Sequence, residues 1–201
     1  LAMANFPSYN PNSRSNSDVS ARRNRAVTDV FEPGSVIKAL TVAAGLESGK
    51  FTPATEINTH PGTLVVANHL VRDFRDYGVI TTTGLLTKSS NVGATRIAQA
   101  LDNEHLYDMY HRFGFGEESG SGFPGESAGT LPTPNTWGPV EKATLSYGYG
   151  LSVTALQLAQ ALGVKKFARC GFGKRIVQVL LRPLQLIRRE IGLCAGRVEY
   201  G

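Results

Sequence analysis

At 201 residues, 41% apolar and 18% charged, the chain is sized for one domain with a real hydrophobic core. No apolar run is long enough to span a bilayer, and the opening LAMANFPSYN lacks the basic-then-apolar order of a signal peptide. The formal charge of +5 sits in the tail: residues 163–201 hold nine Lys/Arg against two acids, leaving residues 1–162 with twelve against fourteen. The body thus lacks the basic, aromatic-interleaved stripe of a nucleic-acid surface, which removes nucleic acid from the expected partners.

The cysteines divide the same way, with Cys170 and Cys194 both in the tail. Their spacing fits neither a zinc site nor a disulfide framework, and a cysteine-free body suits an oxidising compartment. His60, His69, His105 and His111 form no H-x-x-x-H pattern, so no metal site is expected. The chain begins without an initiator Met and reads as a fragment.

In chain order, residues 1–30 are polar and rich in Asn, Ser and Arg, and are predicted as extended segment and loop. Pro33-Gly34 punctuates them. Val36, Ile37, Leu40, Ala43 and Ala44 then recur at helical spacing until ESGK closes the element. GTLVVANHLVRDF holds two β-branched runs around Ala67-Asn68 and predicts a hairpin. Helical stretches follow on both sides of KSSN, with Leu85 and Leu86 before it and Ile97, Ala98 and Leu101 after it. NEHLYDMYHRFGFG predicts a further helix, with Asn103 as cap and Leu106, Met109 and Phe113 on one face. Residues 114–139 read as a Gly/Pro-rich loop, and TALQLAQAL as a helix opened by a Thr154–Gln157 capping box. Helices with a minority of strands in irregular order point to an α+β fold.

One short stretch, FEPGSVIK, bears on chemistry. Ser35 follows a Pro-Gly break and should stand at or near a helix N-terminus, where free N–H groups and the helix dipole favour a developing oxyanion. Lys38, at i+3, lies on the same face within reach of the serine oxygen. A lysine serves as a base only when part of it is neutral, which burial among Val36, Ile37 and Leu40 could secure. A bare S-x-x-K more often marks a capping serine beside a solvated lysine. A second signal shifts the balance: KSSNVG supplies Ser89 and Asn91, a hydroxyl to relay a proton and an amide to hold a carbonyl, 54 residues after Ser35. The other S-x-N triplet, Ser8 to Asn10, lies beside Pro11 in a polar stretch without helical pattern.

Taken together, RNRAVTDVFEPGSVIK, KSSNVG, GFPGE and ATLSYGYGLSVTALQLAQA resemble the class B penicillin-binding proteins, and most narrowly their division-specific (septal) D,D-transpeptidases, over nearly all of residues 1–162. The resemblance implies a partial penicillin-binding transpeptidase, or serine β-lactamase-like, fold. It implies Ser35 as the acylated nucleophile, Lys38 as its base and Ser89 as proton relay to the leaving amine. Asn91 would hold the substrate peptide and orient Lys38, and Glu32, Tyr147 and Tyr149 would lie near the cleft. The implied substrate is a peptidoglycan stem peptide ending in D-Ala-D-Ala, with β-lactams as covalent inhibitors, division proteins as partners and no cofactor or metal. The implied place is the periplasmic face of the inner membrane.

The family's third motif, K-T-G, is absent, as are its K-S-G, R-T-G and H-T-G variants. The family carries it on a downstream sheet strand that supplies one oxyanion N–H and a cation for the substrate carboxylate. Two regions are therefore expected: residues 1–162 as a partial transpeptidase domain lacking the C-terminal strands of the central antiparallel sheet, and residues 163–201 as a basic non-family tail, frameshift-derived or fused. The expected state is an incomplete, weakly active or inactive transpeptidase. The alternatives are a catalytically dead remnant that binds division partners or glycan, and a soluble β-lactamase, for which no E-x-x-x-N element with a deacylating base follows the S-x-N triplet.

Overall fold

The structure, a computed structural model, describes residues 3–10, 12 and 19–163. Most of the basic tail, with Cys170 and Cys194, lies outside the described residues.

The predicted loop at 1–30 contains short helical elements, a 3-10 turn at Val19–Arg22 and α1 at Arg25–Thr28. Elements of four residues leave no periodicity to read. Strand β1 (Val30–Phe31) follows, then a 3-10 turn at Gly34–Ile37 that runs directly into α2 (Lys38–Glu47). Strands β2 (Glu56–Asn58) and β5 (Val79–Thr81) pair antiparallel around the predicted hairpin of β3 (Thr63–Val66) and β4 (His69–Arg72). The hairpin register opposes Val66 to His69 across Ala67-Asn68, with Ala67 at a positive φ of 51°.

Helices α3 (Thr82–Lys88) and α4 (Asn91–Gln99) stand either side of Ser89-Ser90. Helix α5 (Asn103–Arg112) buries Leu106, Met109, Tyr110 and then Phe113, the face expected from its spacing. Its N-cap is Asp102 rather than Asn103; the Asn103 amide instead donates to the carbonyls of Pro134 and Trp137, fastening the long loop to the helix. After the Gly/Pro loop come α6 (Pro139–Ser146), β6 (Val153–Thr154) and α7 (Ala155–Ala161). The Thr154–Gln157 capping box is formed in both directions, satisfying two of the helix's orphan donors. Strand β6 returns to pair antiparallel with β1, so residues 30–31 and 153–154 meet.

The main core gathers Ile37 of the 3-10 turn, Leu40 and Val42 of α2, Ile97 of α4, Leu106, Met109 and Tyr110 of α5, and Leu145 of α6. A smaller cluster, Val66, Val71, Val92, Ala94, Ala143 and Tyr147, seats the hairpin on α4 and α6. The fold is α+β: helices with three two-stranded antiparallel sheets among the described residues. No helix among them is long and apolar enough to cross a membrane.

Candidate active site

Ser35 is the second residue of the Gly34–Ile37 turn, and Lys38 opens α2. A 3-10 turn has three residues per turn, so side chains at i and i+3 eclipse. That geometry brings Lys38 Nζ to 3.1 Å from Ser35 Oγ. Ser35 is exposed, whereas Lys38 is only 2% accessible.

Ser89 arrives from another direction. It caps the C-terminus of α3 in the left-handed conformation, φ 54° and ψ 43°, a region few non-glycine residues occupy. In this pose both its carbonyl oxygen (2.6 Å) and its hydroxyl (2.9 Å) accept from Lys38 Nζ. The ammonium therefore has three oxygen partners, from Ser35 and Ser89. Burial pushes the Lys38 amine down from its ordinary 10.5 to about 8, with the charge of Asp73 acting in the opposite direction. At pH 7 an amine with that pKa is roughly one-tenth neutral, against about one part in three thousand for a solvated lysine.

Asn91 is the first residue of α4, and its amide donates to the Arg72 carbonyl at 2.8 Å. Lys38 donates its hydrogen bonds to Ser35 and Ser89, and the Asn91 amide is turned to the Arg72 carbonyl. Glu32 accepts from the Gly150 N–H at 2.9 Å, joining the segment between β1 and Ser35 to the YGYG segment. Tyr147 is 7% exposed and its hydroxyl pairs with His69 Nε2 at 3.2 Å; Tyr149 is 51% exposed and meets Tyr147 edge-on at 5.9 Å. Burial raises the Tyr147 phenol above its usual range, the Tyr149 charge adding to it.

Two features of the site go beyond what the motifs announce. The first is Asp73. Its Oδ2 accepts from Ser90 Oγ at 2.6 Å, and its Oδ1 from the Asn91 and Val92 N–H groups at 2.5 and 3.0 Å. A carboxylate thus sits on the N-terminus of α4, where the helix dipole favours it. Ser90, the middle residue of S-x-N, is wholly buried and also accepts from Gly93 N at 2.8 Å. The second is Gly148, at φ 95°, whose carbonyl accepts from Gly34 N at 3.0 Å. A Cβ at Gly148 would lie 1.9 Å from the Gly34 oxygen, so only glycine permits this approach. Asp73 follows a predicted strand and carried no cue of its own; the glycines of YGYG were visible but their contact was not.

Comparison with known proteins places the chain in a family. Residues 1–174 match the family model described as penicillin binding protein transpeptidase domain. The chain is 42% identical over 188 residues to the probable peptidoglycan D,D-transpeptidase PbpC of Pseudomonas aeruginosa, covering 94% of this chain and 32% of that protein. It is 46% identical over 160 residues to the peptidoglycan D,D-transpeptidase FtsI of Escherichia coli K12, covering 80% of this chain and 27% of that one. The chain thus spans a third or less of these relatives' lengths. Among solved structures, the apo TP domain of penicillin-binding protein 3 from Burkholderia pseudomallei superposes with a TM-score of 0.68 at 45% identity, over 69% of this chain and 42% of that one. With the family model matched over most of its length, the chain belongs to the penicillin-binding protein transpeptidase domain family.

Proposed function

We propose that the chain carries the nucleophile half of a peptidoglycan D,D-transpeptidase site acting at the division septum, on the periplasmic face of the inner membrane and in company with other division proteins. The observation that carries the reading is the Ser35–Lys38–Ser89 cluster, a buried amine lowered to about 8 and held 3.1 Å from an exposed serine hydroxyl. Neutral Lys38 takes the Ser35 proton as Oγ attacks the carbonyl of the penultimate D-Ala of a stem peptide. The C–N bond breaks, and the proton passes from Lys38 through the Ser89 hydroxyl to the departing D-Ala amine. An amine of a neighbouring strand then attacks the acyl-serine, gives up a proton by the same route, and restores Ser35. Asn91, at the rim beside Arg72, is suited to receive the substrate's peptide carbonyl through its amide. β-Lactams, which present a strained amide in place of the D-Ala-D-Ala bond, acylate the same oxygen.

The test is labelling with a fluorescent penicillin, followed by mass spectrometry. It is run on the 201-residue chain and on a hybrid in which residues 1–162 precede the remainder of the transpeptidase domain of the Escherichia coli relative. The adduct is expected on the peptide that contains Ser35, and Ser35→Ala should abolish it. An adduct on another residue, or one that survives the substitution, overturns the reading.

A further inference from the structure

Three residues beyond Lys38, the same face of α2 carries Thr41, fully buried. Its Oγ1 donates to the Ser146 carbonyl at 2.8 Å and lies 2.8 Å from the Tyr110 hydroxyl, which also reaches the Leu145 carbonyl at 3.3 Å. Thr41 has one hydroxyl proton. With that proton on the Ser146 carbonyl, the Tyr110 O–H has two acceptors in reach, Thr41 Oγ1 at 2.8 Å and the Leu145 carbonyl at 3.3 Å; the shorter contact gives a directed chain from Tyr110 through Thr41 to the last carbonyl of α6. Carbonyls at a helix C-terminus have no partner within the helix, and in a buried setting each one left unmade costs about 1–3 kcal/mol. The relay supplies the partner of the Ser146 carbonyl, the Leu145 carbonyl already accepting from Gly148 N at 3.1 Å, and it ties three helices, α2, α5 and α6, at one point.

What leaves α6 at that point is Tyr147-Gly148, and Gly148 holds Gly34, the residue before Ser35. Gly148 reaches the Gly34–Ile37 turn from the end of α6, and the Thr41–Ser146 hydrogen bond, backed by Tyr110, spans α2 and that end. Burial pushes the Tyr110 phenol far above its ordinary range, so it stays a donor at any working pH.

We propose that Tyr110 is a positioning residue for the acylation reaction: acting through Thr41, its hydroxyl fixes the end of α6 and with it the turn that presents Ser35. The proposal rests on the reading of Ser35 as nucleophile. It also separates placement of the nucleophile from activation of it, since neither hydroxyl touches Lys38.

The experiment measures the rate constant and stoichiometry of fluorescent-penicillin acylation, in the full chain and in the hybrid described above. Tyr110→Phe and Thr41→Val are each expected to lower the rate constant at least tenfold, with the labelled fraction and the pH midpoint unchanged. The double variant should be no slower than the slower single one, because the two groups act in series. Thr41→Ser, which keeps the hydroxyl, should restore the parental rate. Ile57→Ala, compared at equal loss of urea resistance, should acylate at the parental rate. A Tyr110→Phe rate within twofold of the parent overturns the proposal, as does a loss confined to the labelled fraction or an equal loss in Ile57→Ala. Absence of Ser35 labelling in both parent proteins overturns the functional reading and the positioning role with it. Parental labelling in Tyr110→Phe overturns the positioning role alone.

Discussion

Lys38 reaches Ser89 across 51 residues of sequence, its Nζ 2.9 Å from the hydroxyl and 2.6 Å from the carbonyl of the same residue. Two oxygens from one left-handed residue, with a third from Ser35, hold the amine in place without neutralising it. No carboxylate is among its hydrogen-bond partners, so burial outweighs the more distant pull of Asp73.

That balance sets a pH profile. A base works only when deprotonated, so acylation should rise with pH and level off above a midpoint near 8, the value to which burial brings Lys38. Lys38→Arg should lose about a thousandfold or more at every pH below 10, because a guanidinium stays protonated. Stopped-flow acylation between pH 5.5 and 10 checks both; a flat profile would remove Lys38 from the base role.

Burying that amine also costs stability. The folded-state pKa lies below the unfolded one, so between about 8 and 10.5 the unfolded chain binds more protons and stability rises with pH. Below 8 the cost is present in full. Lys38→Met should therefore stabilise the fold at pH 7 by about 1–3 kcal/mol while abolishing acylation, and should flatten the pH dependence in that window. Urea unfolding at pH 7 and pH 10 reads the difference.

Asp73 acts on two observables in known directions. Asp73→Asn weakens the carboxylate cap on α4, and should cost about 1–2 kcal/mol of stability. It also removes the charge that raises the Lys38 pKa, so the acylation midpoint should move below the parental one even as the plateau falls. A midpoint that stays put or climbs would show that Asp73 does not influence the lysine.

Gly148→Ala tests the brace on the nucleophile turn. The added Cβ would meet the Gly34 oxygen, and φ 95° strains any other residue. Strain of about 1–3 kcal/mol adds to the lost Gly34–Gly148 hydrogen bond, giving an expected loss of about 2–4 kcal/mol. Acylation should fall at least a hundredfold. Denaturant titration and penicillin labelling together check the pair of effects.

Much of this was legible in the residues. The alternation around Ala67-Asn68 marked the hairpin, the Thr154–Gln157 pair marked the start of α7, and the spacing of Ser35 and Lys38 placed both groups on one helical turn. These signals are local, and local physics sets them. What could not be read is tertiary. Asp73 caps a helix that begins 18 residues later, Asp102 displaced its neighbour as the cap of α5, and Asn91 turned its amide to the Arg72 carbonyl instead of to the lysine. The short helical turns within residues 19–28 have no period to detect.

The bond between Gly34 and Gly148 spans 114 residues, and this has a bearing on how the reactive centre comes into being during synthesis. A ribosome adding about 5–20 residues each second needs about 6–23 seconds to travel from one glycine to the other. Through that interval the emerging polypeptide already contains Ser35 and Lys38 but lacks the strut that seats them. In that half-made chain Lys38 is still solvated and almost wholly protonated, because the burial that lowers its amine is not yet in place. Alignment of the nucleophile turn by Gly148 and burial of the amine beside it both belong to the finished fold, so neither half of the centre can precede the folding of α6.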